Sequence, residues 1–302
     1  MLPYATLAYL AHQLGIAAVG VSSARALDEA RPHLEAWLAA GHHGEMAYMQ
    51  RNLDKRLDPR LLVPGARSIV SALVPYPPRP HKEPGARIAS YAYCPDYHKT
   101  VKNTLFRLWQ LINEQLGPTQ GRVFVDSAPL LDRFWACNAG LGWIGRNTLL
   151  IHPALGSYFF IGSLVLNADL EVTEQRMSPR CGSCQRCLES CPTHALKPCY
   201  ILEAKKCISY LTIERKTPLA PGEMESVRPW LFGCDICQEV CPWNQHRLQR
   251  TPEQDIPQPL LHALGRFAQG EDALPPESPL RRANPQELRR RLEAFGMPDE
   301  HH

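Results

Sequence analysis

The sequence lacks any uncharged apolar run that approaches the roughly 18 to 20 continuous residues needed to cross a membrane. The first 24 residues carry no Lys, Arg, Asp or Glu, which makes them a stretch to test as a signal peptide or anchor. They have no positively charged start, and His12 and Gln13 interrupt the apolar residues. We therefore expect a cytoplasmic protein with no membrane contact.

The sequence also lacks a strong excess of charge of either sign. Lys and Arg number 33 and Asp and Glu number 30, which gives a formal net charge of +3. Net charge therefore says nothing about partners, although an uneven distribution could still create a local basic face. Hydrophobic residues make up 44% of the chain and charged residues 21%, which excludes wholesale disorder and fibrous architectures.

Cysteine, in contrast, is abundant and clustered. The chain has 11 cysteines, and nine of them lie between positions 181 and 241. A disulfide scaffold is usually a short secreted chain with an even number of cysteines. Cysteines separated by two residues in a long chain favour metal binding instead.

The first cysteine motif has the bacterial ferredoxin spacing for a cubane iron–sulfur cluster: Cys181-x2-Cys184-x2-Cys187-x3-Cys191-Pro192. In that motif three thiolates bind one cluster, and the fourth cysteine, which precedes the proline, reaches a second cluster. The spacing therefore predicts two clusters that lie close together, which is an arrangement for electron transfer.

A second motif, Cys234-x2-Cys237-x3-Cys241-Pro242, repeats the ending of the first but has Leu231 where an earlier cysteine would stand. Cys207 is the expected replacement. Zinc is the alternative because C-x2-C pairs also bind zinc, although zinc does not need two Cys-Pro endings. Cys199 is left without a ligand role. Reciprocal pairing predicts two [4Fe–4S] clusters, with the ligands Cys181, Cys184, Cys187 and Cys241 for one and Cys191, Cys207, Cys234 and Cys237 for the other.

Helix and strand patterns interleave before the cysteine block, which favours an α+β class whose amino-terminal part is an α/β layer. The apolar spacing predicts a long helix over 97–116. Apolar runs predict strands over 68–74, 122–125 and 159–166.

The composition changes twice along the chain, which predicts three segments. Residues 1–172 form an amino-terminal domain, 173–247 a two-cluster domain in which metal replaces most of the core, and 248–302 a Pro-rich extension. The extension carries a basic helical patch, Arg281-Arg282 followed by Arg289-Arg290-Arg291. A solvated helix face is the favoured interpretation of this patch, and docking on the body or on an acidic partner is the alternative.

The hexapeptide Gly140-Leu141-Gly142-Trp143-Ile144-Gly145 matches the dinucleotide-binding pattern G-x-G-x-x-G. A single match of this kind is weak, and the six residues do not directly follow a predicted strand. We expect these glycines to make tight turns or to let the backbone approach a large flat ligand.

Several segments together resemble the epoxyqueuosine reductase family, and the likeness covers most of residues 1–247. The segments are Tyr97-His98-Lys99, Phe124-Val125-Asp126-Ser127-Ala128-Pro129, Asp132-Arg133, the glycine hexapeptide with Arg146-Asn147-Thr148, and Cys207-Ile208-Ser209-Tyr210-Leu211-Thr212-Ile213-Glu214. The resemblance implies an oxidoreductase that converts epoxyqueuosine to queuosine at the wobble position of tRNA, using cobalamin that is reduced through two [4Fe–4S] clusters. The expected fold is then an amino-terminal cobalamin-binding domain followed by a ferredoxin-like domain.

The resemblance also implies roles for individual residues. Asp126 falls on the family's proton donor, and a corrin that covered it would disfavour its charged form, as suits a general acid. A solvated strand-end aspartate is the alternative for Asp126, and a structural cysteine is the alternative for Cys94. The residues implied to contact cobalamin are Arg56, Cys94, Asp126, Arg133, Asn147, Thr148, Ser209 and Thr212.

The implied partners are tRNA carrying epoxyqueuosine and an electron donor of unknown identity, and we expect a monomer. Many family members carry a helical-repeat region after the clusters, whereas this sequence continues for about 60 residues beyond Cys241. The tRNA contacts are therefore expected from the amino-terminal surface, Lys205-Lys206, Arg215-Lys216 and the tail arginines. A cobalamin-dependent reductase of small molecules, such as a dehalogenase, and a ferredoxin-like electron carrier are the alternative functions.

Overall fold

The structure is a computed structural model of the chain that describes residues 1–79, 85–250 and 257–298, and it confirms the α+β class. The α-helices are α1 (Tyr4–Gln13), α2 (Arg31–Ala39), α3 (Leu53–Leu57), α4 (Tyr97–Leu116), α5 (Asp132–Asn138), α6 (Arg186–Glu189), α7 (Ile208–Ile213), α8 (Pro221–Val227), α9 (Ile236–Glu239), α10 (Gln245–Arg250), α11 (Gln258–Ala268) and α12 (Pro285–Phe295). The strands are β1 (Ala18–Ser23), β2 (Ser68–Pro75), β3 (Arg87–Ile88), β4 (Gly121–Phe124), β5 (Trp143–Ile144), β6 (Leu150–Ile151), β7 (Phe159–Leu166), β8 (Leu196–Lys197), β9 (Ile201–Leu202) and β10 (Trp230–Phe232). Short 3-10 helices occur at Ala47–Met49, Pro59–Leu61, Ser90–Tyr93, Ala204–Lys206, Pro242–Asn244 and Pro279–Arg282.

The described residues form two compact units, each built from more than one stretch of chain. Unit 1 consists of Met1–Gly41, Ala47–Pro75 and Tyr97–Ser183, and unit 2 of His42–Met46, Tyr76–Asp96 and the described part of Cys184–His302. The division into domains at 172 and 247 stays a prediction from composition. Residues 251–256 and 299–302 of the predicted extension lie outside the described part of the chain.

A four-stranded antiparallel sheet organises unit 1, in the order β1-β2-β7-β4. Apolar runs predicted both central strands, because a strand covered on both faces needs few polar side chains. They pair along their whole length, from Ser68 opposite Leu166 to Pro75 opposite Phe159. Residues 122–125 were predicted as a strand, and β4 begins and ends one residue earlier.

Helix α4 packs on this sheet over the predicted span, with Val101, Leu105, Leu108 and Ile112 buried. Gly162 in β7 makes the close packing possible, since a Cβ there would lie 2.5 Å from Cδ1 of Leu105. The helix ends before Gly117 (φ +81°), whose N–H donates to the carbonyl of Asn113. The amino-terminal end of α4 lies beside the loop after β4, where the side chains of Tyr97 and Asp126 are in contact.

The core of unit 2 includes residues that the sequence analysis placed in an extension. Leu264 of α11 and Leu288 of α12 are fully buried in one apolar cluster with Ile88, Leu231 and Phe232. The expectation that metal replaces most of the core in the cluster region is therefore wrong for the part of the chain that the structure describes. The two amphipathic helices supply apolar surface that the short segments between cysteines lack.

The tail arginines are mostly engaged within unit 2 rather than solvated. The Arg291 side chain is 1% exposed, and it donates to the carbonyls of Leu231 and Thr212 at 2.9 and 3.0 Å. The prediction of a solvated helix face is wrong for Arg291, because its guanidinium is buried and donates hydrogen bonds to two buried backbone carbonyls. Among the described residues, no helix combines the length and the apolar character needed to span a membrane.

Candidate active site and cluster ligands

Asp126 lies two residues beyond β4 and projects a largely exposed carboxylate. Its φ of +55° is in the left-handed region, which turns the chain sharply away from the strand. The Tyr97 hydroxyl donates to Oδ2 of Asp126 at 2.7 Å, and Nε2 of His98 lies 3.8 Å from the same oxygen. The first two residues of α4 thus converge on the carboxylate that the sequence singled out.

Aromatic stacking fixes the orientation of Tyr97. Its ring centroid lies 4.2 Å from that of His98 and 4.5 Å from that of Phe160, with interplanar angles of 27° and 5°. Rings on both sides restrict rotation of the tyrosine, so its hydroxyl stays directed at Asp126. The sequence predicts no individual role for Tyr97 and His98, because a Tyr-His pair at the start of a helix has no spacing that marks it as functional.

A second carboxyl group, Asp132, was also missed. It is the first residue of α5 and half-buried, and the hydroxyl of Ser163 donates to its Oδ1 at 2.7 Å. Burial raises the pKa of Asp132 to about 7, and the negative charge of Asp126 adds to this rise, whereas the hydrogen bond from Ser163 opposes it. Unit 1 therefore holds two carboxyl groups that influence each other and differ in exposure.

Arg56 is a buried cation close enough to Asp132 for the two charges to interact. Its side chain is 6% exposed and donates from Nη2 to the carbonyl of Tyr48 at 3.0 Å, while its Nε has no hydrogen-bond partner among the described residues. Burial lowers the pKa of Arg56. A buried N–H without an acceptor is costly, so it favours a ligand that supplies one.

The structure brings together three more of the predicted cofactor residues. Arg133 donates from Nη1 to the carbonyl of Thr148, in the loop between β5 and β6. Thr148 has a φ of +62°, and the neighbouring Asn147 is 4% exposed with its Oδ1 accepting from the N–H of Leu149. These contacts tie the loop to α5, as the resemblance implied for one shared site.

The glycine hexapeptide leads into a β-hairpin made of β5 and β6, not into a helix. A Cβ at Gly142 would collide with the carbonyl oxygen of Ile151, and one at Gly145 would lie 2.5 Å from Cδ1 of Ile151. Gly140, with a φ of +80°, turns the chain after α5, as one of the two expectations for these glycines predicted, and the other two glycines allow close packing against Ile151. The segment lacks the strand-turn-helix context of a dinucleotide site.

In unit 2 the predicted cluster ligands Cys191, Cys207, Cys234 and Cys237 lie near enough for their charges to interact. Burial raises the pKa values of the Cys234 and Cys237 thiols well above the ordinary value for cysteine. The charges of neighbouring cysteines, including Cys207, raise both values further. Burial likewise raises the pKa of Cys207, and Cys191 contributes. Thiolates packed in this way need a cationic partner, which the iron of a cluster supplies.

The two ferredoxin motifs have similar local structures within unit 2. Helices α6 and α9 are each four residues long, carry Cys187 and Cys237 and pack against each other. Cys187 also raises the pKa of Cys237, which places cysteines of the two motifs near one another. Cys184 and Cys241 belong to unit 2 and Cys181 to unit 1, whereas Cys199 is exposed in the hairpin of β8 and β9.

The remaining cofactor candidates lie in unit 2. Cys94 is half-buried after the 3-10 helix Ser90–Tyr93, and burial raises its pKa. Ser209 is half-buried in α7. Thr212 is 2% exposed, and its hydroxyl donates to the carbonyl of Ile208 and accepts from the N–H of Gly233. Thr212 thus hydrogen-bonds within the interior of unit 2.

Comparison with known proteins then decides the family. The family described as "Epoxyqueuosine reductase QueG, DUF1730" matches residues 56–127, and "4Fe-4S double cluster binding domain" matches residues 180–244. An epoxyqueuosine reductase from Leadbetterella byssophila is 46% identical over 251 residues, which is 82% of each chain. The chain belongs to the epoxyqueuosine reductase family. A family member from Pseudomonas aeruginosa is 43% identical over 77% of this chain and 66% of its own.

Solved epoxyqueuosine reductases share the fold. The Streptococcus thermophilus structure matches with a TM-score of 0.77 and 27% identity over 98% of this chain and 76% of its own. The Bacillus subtilis structure, whose aspartate-bearing catalytic loop is swung out of the active site, matches with a TM-score of 0.77 and 27% identity over 95% of this chain and 79% of its own. A structure with an epoxyqueuosine-modified tRNA-Tyr stem loop matches with a TM-score of 0.73 and 26% identity over 98% of this chain and 76% of its own.

The chain is therefore an oxidoreductase that reduces epoxyqueuosine to queuosine at the wobble position of tRNA. Its cofactors are two [4Fe–4S] clusters and cobalamin. These matches favour the tRNA-modifying enzyme over a small-molecule reductase or a stand-alone electron carrier. The double-cluster match likewise favours iron–sulfur clusters over zinc.

Proposed function

We propose that Asp126 donates a proton to the epoxide oxygen during this reaction. Removing that oxygen as water takes up two electrons and two protons, so a proton donor must reach the oxygen. The observation that carries the proposal is the 2.7 Å hydrogen bond from Tyr97, which holds an exposed carboxyl group at the end of β4. The Bacillus subtilis relative has a catalytic loop that bears an aspartate, which supports the same role for this residue.

Tyr97 and His98 position this carboxyl group. A tyrosine hydroxyl can donate to the carboxylate or accept from the carboxylic acid, so it holds the group in both protonation states. His98 lies close enough to return a proton through a small movement. The charge of Asp132 acts on Asp126 and changes with pH, because burial raises the pKa of Asp132 to about 7.

The donors of unit 1 fit cobalamin. The buried Nε of Arg56 would donate to a polar arm of the corrin, and Arg133, Asn147 and Thr148 would line the same cofactor. When bound, cobalamin supplies the cobalt chemistry that no amino-acid side chain provides. Cys94 and Ser209, which belong to unit 2, remain predicted contacts of cobalamin.

We assign the cluster ligands as the sequence predicts. The mutual effect of Cys191, Cys207, Cys234 and Cys237 on their pKa values supports the second set.

We further propose that the protein acts as a monomer in the cytoplasm on a tRNA anticodon stem loop, and that a separate protein supplies its electrons.

The test is an anaerobic assay of the reconstituted protein on epoxyqueuosine-containing tRNA, read by nucleoside mass spectrometry. Asp126→Asn should keep its iron and cobalamin but lose activity by about 100-fold or more, as expected for a missing general acid. Asp169→Asn is the control, because that carboxylate is exposed and ion-paired with Arg67. Wild-type turnover by Asp126→Asn would remove Asp126 from the mechanism.

A further inference from the structure

The hairpin of β8 and β9, with the 3-10 turn that follows it, concentrates positive charge in unit 2. This segment, residues 196–206, is called the lysine hairpin here. It contains three lysines and one acidic residue. The amino groups of Lys197, Lys205 and Lys206 lie 3.7, 3.7 and 2.9 Å from the carboxylate of Glu203.

The three lysines share a single counter-charge. Their side chains are 39% to 47% exposed, whereas Glu203 is 7% exposed. The hydrogen bond from Lys206 lowers the pKa of Glu203, so the carboxylate stays charged. Two positive charges therefore remain unneutralised at the surface. The buried carboxylate of Glu203 thus holds the three lysine side chains close together but neutralises only one of their three positive charges.

Other cations that the sequence analysis named are paired differently. Arg215, Arg282 and Arg290 each meet a carboxylate of their own at 2.6 Å, and Arg291 is buried. A cation held by its own carboxylate has less to gain from a phosphate, because it must first leave its partner. The lysine hairpin is thus better suited than the tail arginines to hold a polyanion.

The turn of the hairpin adds an exposed aromatic ring. Cys199 and Tyr200 both have a φ of +63°, a conformation that non-glycine residues rarely adopt. The Tyr200 residue is 41% exposed in the turn of the same hairpin, between Lys197 at the end of β8 and the two lysines that follow β9. Lysines next to an exposed aromatic ring are the combination that binds RNA through phosphates and stacking.

We propose that the lysine hairpin docks the anticodon stem loop of the substrate tRNA. Its lysines contact phosphates, and Tyr200 stacks on a base or ribose. The proposal rests on the tRNA-modifying function but not on the role of Asp126. Lys205 and Lys206 were predicted tRNA contacts, and the structure adds Lys197, Tyr200 and the opposing carboxylate of Glu203.

The experiment measures the affinity of the anaerobic, cluster-loaded protein for epoxyqueuosine-containing tRNA without reductant, across a series of salt concentrations. Replacing Lys197, Lys205 and Lys206 by Ala should make the slope of log affinity against log salt shallower by about 2, because fewer counterions are released. Lys102→Ala, at an exposed position on α4, is the matched control and should leave the slope unchanged.

Two further variants separate this role from a structural one. Tyr200→Ala should weaken binding by about fivefold or more with an unchanged salt slope. Glu203→Gln should tighten binding, since it removes the opposing charge while keeping the side-chain shape. If the lysine hairpin had only a structural role, Glu203→Gln would not tighten tRNA binding.

An unchanged salt slope in the triple variant, or weaker binding by Glu203→Gln with full iron content, would overturn the proposal. Normal tRNA affinity of the triple variant, together with slower reduction of its clusters by an acidic electron-transfer protein, would also overturn the proposal. That result would assign the surface to the electron donor. None of these outcomes bears on Asp126, because neither tRNA binding nor reduction of the clusters requires a proton transfer to the epoxide.

Discussion

The hydroxyl of Tyr97 and the carboxylate of Asp126 lie 2.7 Å apart, which joins the first residue of α4 to the loop after β4. The two residues are 29 positions apart in the sequence. The contact depends on α4 packing flat on the sheet, which the absence of a side chain at Gly162 permits. A core glycine thus contributes to the position of the proposed proton donor.

Tyr97→Phe should lower kcat by about tenfold and leave KM for tRNA nearly unchanged. The variant keeps the stacked ring but loses a charge-assisted hydrogen bond to Asp126. Steady-state assays over a range of tRNA concentrations check this expectation. Tyr9→Phe, at a position 63% exposed on α1, is the control. An equal rise in KM would instead indicate a role in substrate binding.

Arg56→Met should weaken cobalamin binding by about tenfold or more without loss of iron. The substitution removes the buried Nε donor, and an apolar side chain of similar length is tolerated where a buried charge stood. Absorbance titration with cobalamin measures the affinity. Arg60→Met is the control, since Arg60 is exposed and paired with Asp58. Equal affinities of the two variants would contradict a cofactor contact by Arg56.

Asp132→Asn should change how stability depends on pH. Burial raises the pKa of Asp132 to about 7 in the folded protein, compared with about 4 in an unfolded chain. A raised folded-state pKa gives stability that is complete below about pH 4 and is lost as pH rises through about 7. Asparagine does not ionise, so the unfolding temperature of the variant should fall less than that of the wild type between about pH 5 and pH 8.

Thermal unfolding of the cofactor-loaded protein over this pH range tests the expectation for Asp132. The groups whose charges act on Asp132 are Asp126, Arg133 and Arg56, and Ser163 donates a hydrogen bond to it. Asp169→Asn should follow the wild-type curve because its carboxylate is exposed. Parallel curves for Asp132→Asn and the wild type would show that Asp132 does not titrate in this range.

Cys207→Ser should lower the iron content to about half, because it removes one ligand of one [4Fe–4S] cluster and leaves the other cluster intact. Cys199→Ser should keep full iron content, since Cys199 is exposed in the hairpin turn. Iron analysis and electron paramagnetic resonance of the reduced protein distinguish the two variants. Loss of iron in Cys199→Ser but not in Cys207→Ser would instead identify Cys199 as the cluster ligand.

The local elements were predictable because their signals are local. The helix over 97–116 and the strand over 159–166 have the predicted bounds, since apolar periodicity reflects which face is buried. The ferredoxin spacing predicted the clusters for the same reason, as one loop must place three thiolates on one cluster. The basic tail was misjudged, because a run of arginines looks the same whether solvated or buried as Arg291 is.

The sequence by itself determined the class of fold, the two clusters and the family, because periodicity, cysteine spacing and motif identity are written in neighbouring residues. Only the tertiary structure decided which groups surround Asp126, that α11 and α12 complete the core of unit 2, and that three lysines share Glu203. Those contacts join residues brought together by packing. Their strength depends on burial and distance, and neither quantity exists until the chain has folded.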